Sequence, residues 1–191
     1  RGDFDQAAEL ASAGAHLARE HGLVAAFLRG QYAEAISLTG RGDYDRALNL
    51  MEEGLALAEK IGDDAFIPRY LNGLGWIYIE TEDLERGIEL NQKGADLSRN
   101  LRHATGVEKT CFAEINIADA FLAGGDLTLA QDLLQGVHRI SGDPATHEWM
   151  HWRYSTHLFA SLGRLALDQG EPAKAREFAD QCLKIAVPTD S

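Results

Sequence analysis

Cysteine and proline are scarce here: 191 residues hold 2 Cys and 4 Pro. Two thiols, Cys111 and Cys182, cannot form the dense disulfide framework of a small secreted domain. Both fall inside helical patterns, which suits small apolar packing residues. So few prolines leave long stretches free to be helical. No apolar run reaches the roughly 18 residues of a membrane span. Cations are short too, with 18 Lys and Arg against 30 Asp and Glu and a net charge of -12. Without a basic cluster to displace counterions from phosphates, nucleic acid is excluded as a partner of this segment. Like-charge repulsion works against anionic membranes, and the acidic surface favours basic partners on the outer faces. There is no leader peptide and the first residue is Arg1 rather than Met, so a fragment of a larger protein is expected, its targeting signals lost with the rest.

What is present is an ordinary globular balance, 45% hydrophobic and 25% charged, which argues against disorder. Ala and Leu, both strong helix formers, run through nearly every segment. Five short stretches repeat: Gly2-Asp3-Phe4-Asp5-Gln6-Ala7, Gly42-Asp43-Tyr44-Asp45-Arg46-Ala47, Glu82-Asp83-Leu84-Glu85-Arg86-Gly87, Gly125-Asp126-Leu127-Thr128-Leu129-Ala130 and Gly170-Glu171-Pro172-Ala173-Lys174-Ala175. Their spacings of 40, 40, 43 and 45 residues are the mark of a repeat architecture. In each, Gly can end one helix in the left-handed conformation, and the following Asp or Glu can cap the next. The aromatic or Leu packs over the turn, and the small residue admits a close second helix. Gly14, Gly54 and Gly94 lie 40 apart within good helical patterns. A mid-helix Gly costs about 1 kcal/mol against Ala, so three at one register point to tight helix crossings.

Between the turns the apolar spacing is 3 and 4, as in Leu48, Met51, Leu55, Ala58, or Leu71, Leu74, Tyr78, or Leu158, Leu162, Leu165, which is helical. Nine helices are expected, at about 4–20, 24–39, 44–61, 65–81, 84–101, 105–123, 127–140, 147–169 and 172–186. They divide into a partial repeat (1–21) and four pairs (23–62, 63–103, 104–142, 143–188) of one repeat domain.

The stretch from Leu71 to Gly94 resembles the tetratricopeptide repeat. Leu71, Leu74-Gly75 and Tyr78 stand where that family has Trp, Leu-Gly and Tyr. Gly87, Asn91 and Gly94 stand where it has Ala, an aromatic and Ala. Leu162-Gly163, Ala175 and Ala179 keep less of the pattern, as do Ile117-Ala118, Phe121, Ala130 and Ala47, and the closing Pro is absent. The longer period is similar to the repeat segments of bacterial LuxR-type ATP-dependent transcription regulators and related signalling ATPases. The resemblance implies an all-α fold, a right-handed superhelical solenoid of antiparallel helix pairs. It further implies a non-enzymatic, cytoplasmic, cofactor-free scaffold that senses or binds a partner in signalling or transcription regulation.

In that family the first helix of each pair lines the inner face. The match puts Arg29, Tyr32 and Ile36 there, then Arg69, Asn72, Trp76 and Ile79, then Phe112, Ile115, Asn116 and Asp119, then His157, Ala160 and Arg164. Three Arg with one Asp suit a protein or peptide partner with acidic or carboxylate groups, which Arg grips in two-pronged geometry. Asn72 and Asn116 could hold an extended peptide backbone, since an amide both donates and accepts. Trp76 and Tyr32 suit apolar anchors, although Trp76 equally suits packing between neighbouring helices, and each Arg a solvated surface. The alternative role is self-association into a homo-oligomer through an apolar face left uncovered on the first helix.

His147-Glu148-Trp149-Met150-His151 fits the zinc-protease pattern H-E-x-x-H, which would make a zinc-dependent hydrolase. His157 falls where the extended pattern has a third His, but Tyr154 stands where that pattern needs a turn-forming Gly. On a continuous helix His157 lies about 240° round from His151. The expectation is a surface helix without a metal, with Pro144 in the turn before it. No phosphate loop follows Gly124-Gly125-Asp126. His16 and His21 read as cap-like, and His103 and His138 as dipole-complementing residues near helix C-termini.

Overall fold

The repeated turns are built alike, and they set where several of the helices stop. The computed structural model describes residues 3–101, 104–141 and 144–186, excepting the side chains of residue 104 and of 144–153. Among the described residues there are nine helices and no strand: α1 (Phe4–Glu20), α2 (Val24–Arg41), α3 (Tyr44–Ile61), α4 (Phe66–Glu80), α5 (Leu84–Arg99), α6 (Ala104–Gly124), α7 (Leu127–Ser141), α8 (Pro144–Asp168) and α9 (Pro172–Ala186). The largest departure from the expected bounds is at α8, whose first residue is Pro144 itself. A first-turn proline lacks only an N–H that would have no helical acceptor, and its fixed φ suits the helix.

α2 and α3 end on left-handed Gly42 (φ 82°) and Gly62 (φ 68°). The next amide reaches back over the last turn, Asp43 N–H to Leu38 O and Asp63 N–H to Ala58 O, both at 2.9 Å. This closure occupies carbonyls that the helix end leaves open. Asp126 to Phe121 O (2.9 Å) and Glu171 to Ala166 O (2.8 Å) repeat it. In the third stretch Glu82 replaces the glycine yet takes φ 67°, and Asp83 N–H still reaches Tyr78 O at 2.9 Å. The packing of the helices on either side therefore imposes the turn even where the residue resists it.

The expected caps form at Asp3, Asp83 and Asp126, whose Oδ1 atoms accept from the amides of Gln6, Arg86 and Leu129. Two differ. Asp43 caps nothing with its side chain and accepts from Arg46 instead, while Glu171 pairs with Lys174 at 2.9 Å.

The chain forms two compact units, one running to Leu97 and the other starting at Ser98. The first is centred on Leu28, Leu38, Met51, Tyr70, Leu74 and Ile77. Tyr70 is fully buried and its hydroxyl donates to Leu28 O at 2.7 Å. Gly54 makes room for it: a Cβ there would stand 2.2 Å from the Tyr70 ring. The crossing read from the spacing thus exists at Gly54, but Gly14 would meet nothing within 4 Å. Its facing position, forty residues before Tyr70, is Gly30, which has no side chain to send there.

α4 and α5 exchange amides. Asn72 of α4 sits against Gly94 of α5, its Oδ1 2.1 Å from where a Cβ would be. Asn91 of α5 sits against Gly75 of α4, Nδ2 likewise 2.1 Å from a Cβ there, and donates to Gly87 O at 2.8 Å. Each amide fills the hollow left by a missing methyl on the opposite helix.

The second unit packs Cys111, Ile115, Leu122 and Leu134 against Leu158, Leu162 and Leu165. Burial, with the Glu114 carboxylate adding to it, pushes the Cys111 thiol up to about 12. No helix among the described residues is long and apolar enough to cross a membrane.

Candidate functional site

In the first unit the residues expected on the inner face come from α2 and α4. Arg69 and Trp76 are seven residues apart on α4, two turns along one face. Tyr32 of α2 lies under the first of them, with the Arg69 guanidinium 5.7 Å from its ring centroid. That is cation–π distance. Tyr32 in turn meets Tyr70 edge-on, centroids 5.6 Å apart at 87°, so a buried, hydrogen-bonded residue fixes the ring. Trp76 is half-buried against the unit's core, and its indole N–H donates to Glu80 Oε1 at 3.1 Å. Trp76 thus packs in part against the core and in part remains accessible. Arg29 is exposed on α2.

Asn72 belongs elsewhere. It is fully buried, and its amide is turned toward Gly94 of α5. It serves the helix interface, and an extended peptide does not reach it. The signal was in the sequence: a glycine 22 residues later, at a register already read as a tight crossing.

In the second unit Asn116 is likewise 0% exposed and is not offered to a ligand. Asp119 of α6 and His157 of α8 come together, Oδ2 to Nε2 at 2.7 Å, with both side chains partly exposed. Phe112 stands edge-on to His157 (centroids 6.2 Å) and close to Tyr154 (5.5 Å). The Tyr154 hydroxyl donates to Glu108 at 2.5 Å, an aromatic and acidic neighbour that sequence reasoning missed. Arg164 is exposed, and its nearest carboxylate is Asp168 one turn on, at 3.9 Å. The proximity of Ser161, His157 and Asp119 does not make a nucleophilic triad. The Ser161 hydroxyl donates to the His157 backbone carbonyl, not to its ring.

The H-E-x-x-H segment lies in the first two turns of α8, which continues unbroken through Tyr154 to Asp168. The extended motif's turn is thus absent, and His157 is committed to Asp119. The side chains of His147, Glu148 and His151 lie outside the described residues. Among the described residues no group of three or more His, Cys, Asp or Glu could hold a metal ion.

Tetratricopeptide-repeat family profiles match residues 35–61 and 157–181, the first running from α2 into α3 and the second from α8 into α9. No curated protein matches the sequence. Among solved structures, the chain is similar to nearly identical TPR-like repeats described as a kinesin light chain of Podosopora anserina. That match has 20% identity, TM-score 0.59, and covers 99% of this chain and 89% of the other. BtubC (BKLC) from P. vanneervenii matches at 16% identity and TM-score 0.57 over 100% and 94%. The apo form of RapI matches at 11% identity and TM-score 0.62 over 93% and 75%. At these identities the likeness is one of fold: all-α, of the tetratricopeptide-like solenoid type.

Proposed function

We propose that this chain is a non-enzymatic scaffold that binds a protein or peptide partner through the first helices of its repeats. The observation that carries the reading is the Arg69–Tyr32–Trp76 surface of the first unit. A guanidinium is held over a fixed aromatic ring, and a half-buried indole lies two turns along the same helix. Rigid aromatic anchors beside an Arg are what protein-binding hot spots are made of. The partner's chemistry follows: an acidic or carboxylate-bearing segment with an apolar residue. Arg29 is the further polar contact proposed in the first unit, and the Asp119–His157 pair with Arg164 is proposed, by itself, as a polar contact surface of the second unit. Asn72 and Asn116 are left out because both are buried.

The wider setting we infer is the sensor or partner-binding segment of a larger bacterial regulatory protein, cytoplasmic and acting in signalling or transcription regulation. Its support is the period of 40 to 45 residues, which resembles that of the repeat segments of LuxR-type regulators. The turns at 42, 82, 125 and 170 support one array of a partial repeat and four pairs.

A peptide array probed with the purified chain tests the reading. Arg69→Ala and Trp76→Ala should each weaken captured peptides at least tenfold, while replacing the exposed Lys93 of α5 with alanine leaves them unchanged. Equal losses from all three substitutions, or no captured peptide at all, would sink it.

Self-association has one observation in its favour. Leu10 and Leu17, seven residues apart on α1, are 67% and 57% exposed. Sedimentation velocity over a concentration series decides, and a monomer at every concentration rejects this alternative.

A further inference from the structure

The second unit holds a cavity of about 350 Å³ between α7, α8 and α9. Leu162, Leu165 and Phe178 give it an apolar floor, and His138, Arg139 and Lys174 line its margin. No Asp or Glu lines it, in a chain whose net charge is -12. Arg139 has no ion pair among the described residues. Among the described residues Lys174 pairs with the exposed Glu171, a pair of little strength in water. His138 stands edge-on to Phe159, centroids 5.8 Å apart. Also in the lining, the Gln169 amide donates to Gln131 at 2.6 Å and ties α8 to α7.

Size and charge together narrow the occupant. Small-molecule sites run from roughly 300 to 1,000 Å³, and this notch lies at the small end, a size suited to one large side chain. An apolar floor accepts an aromatic or long aliphatic group. The cations above it favour carboxylates on either side, with Arg139 able to take one in fork geometry. We infer that this notch docks a protein segment in which a single aromatic or long aliphatic residue is flanked by Asp or Glu. The surface shares no residue with Arg69, Tyr32 or Trp76 and stands independently of the reading above.

The test is fluorescence anisotropy with a labelled synthetic peptide carrying one Phe between Glu pairs, titrated with the full chain. Binding should saturate and weaken as salt is raised. Arg139→Glu should lower affinity at least tenfold and Lys174→Glu several-fold, with helical circular dichroism unchanged because both side chains are exposed. A peptide with Ser in place of Phe should lose binding, and Arg69→Ala in the protein should not. No saturable binding, equal binding by Arg139→Glu, or equal binding of the Ser peptide overturns the inference. Loss on Arg69→Ala with retention on Arg139→Glu would move the peptide to the inner face, overturning this proposal while supporting the earlier one.

Discussion

Replacing Gly54 with alanine places a methyl carbon 2.2 Å from the Tyr70 ring and 2.5 Å from its hydroxyl. The ring cannot retreat freely. It is fully buried, it meets Tyr32 and Phe66, and its hydroxyl donates to Leu28 O at 2.7 Å. Either α3 and α4 separate or Tyr70 turns away. Overpacking of this kind costs about 1–3 kcal/mol, and losing the hydroxyl's hydrogen bond adds about 1 kcal/mol. Against this, alanine is a better helix former by about 1 kcal/mol, leaving a net destabilisation of about 1–3 kcal/mol. Gly14 supplies the control. It occupies the same repeat register but is exposed, and a Cβ there meets nothing within 4 Å. Gly14→Ala should therefore stabilise by up to about 1 kcal/mol. Urea titration of the two variants beside the parent chain reads both, and opposite signs are expected. If Gly54→Ala stabilises as much as Gly14→Ala, the account of the crossing is wrong.

Glu82→Gly relieves a side chain held at φ 67° and should raise stability by about 1 kcal/mol in the same titration, since left-handed backbone costs a non-glycine residue about 1–2 kcal/mol. Of the two thiols, half-buried Cys182 should react with a disulfide reagent at pH 8, whereas Cys111, buried and raised to about 12, should react only on unfolding. Alkaline pH should destabilise the chain. Cys111 keeps its proton more tightly when folded, so its contribution is intact below its ordinary value of 9.0 and is lost as pH climbs to about 12. Tyr70 is raised in the same direction, chiefly by burial and then by Tyr32, with Arg69 opposing. Urea midpoints at pH 8 and pH 10.5 check this, and Cys111→Ala should flatten part of the slope.

The helices were legible because their period and their stops are local. A 3-and-4 apolar rhythm, then Gly-Asp, needs no knowledge of the neighbours. Glu82 shows the limit: it broke the glycine pattern, yet the turn formed because α4 and α5 pack across it. The inner face was only half legible. Helical phase puts Arg69 and Trp76 on one face of α4, but it cannot say whether an inward polar residue faces a groove or the next helix. For Asn72 the deciding partner is Gly94, a residue defined by what it lacks. The notch between α7, α8 and α9 was invisible because its residues lie on three helices. His138 taken alone read as a complement to a helix dipole.

The two amides seated in opposite hollows of α4 and α5 act as indexing pins. Sliding either helix by one turn, about 5.4 Å, would drive both amides into neighbours that carry a Cβ. This pair is thereby fixed in pitch along both directions of its axis. Any flexing of the first unit under load must then be taken up elsewhere than between these two helices.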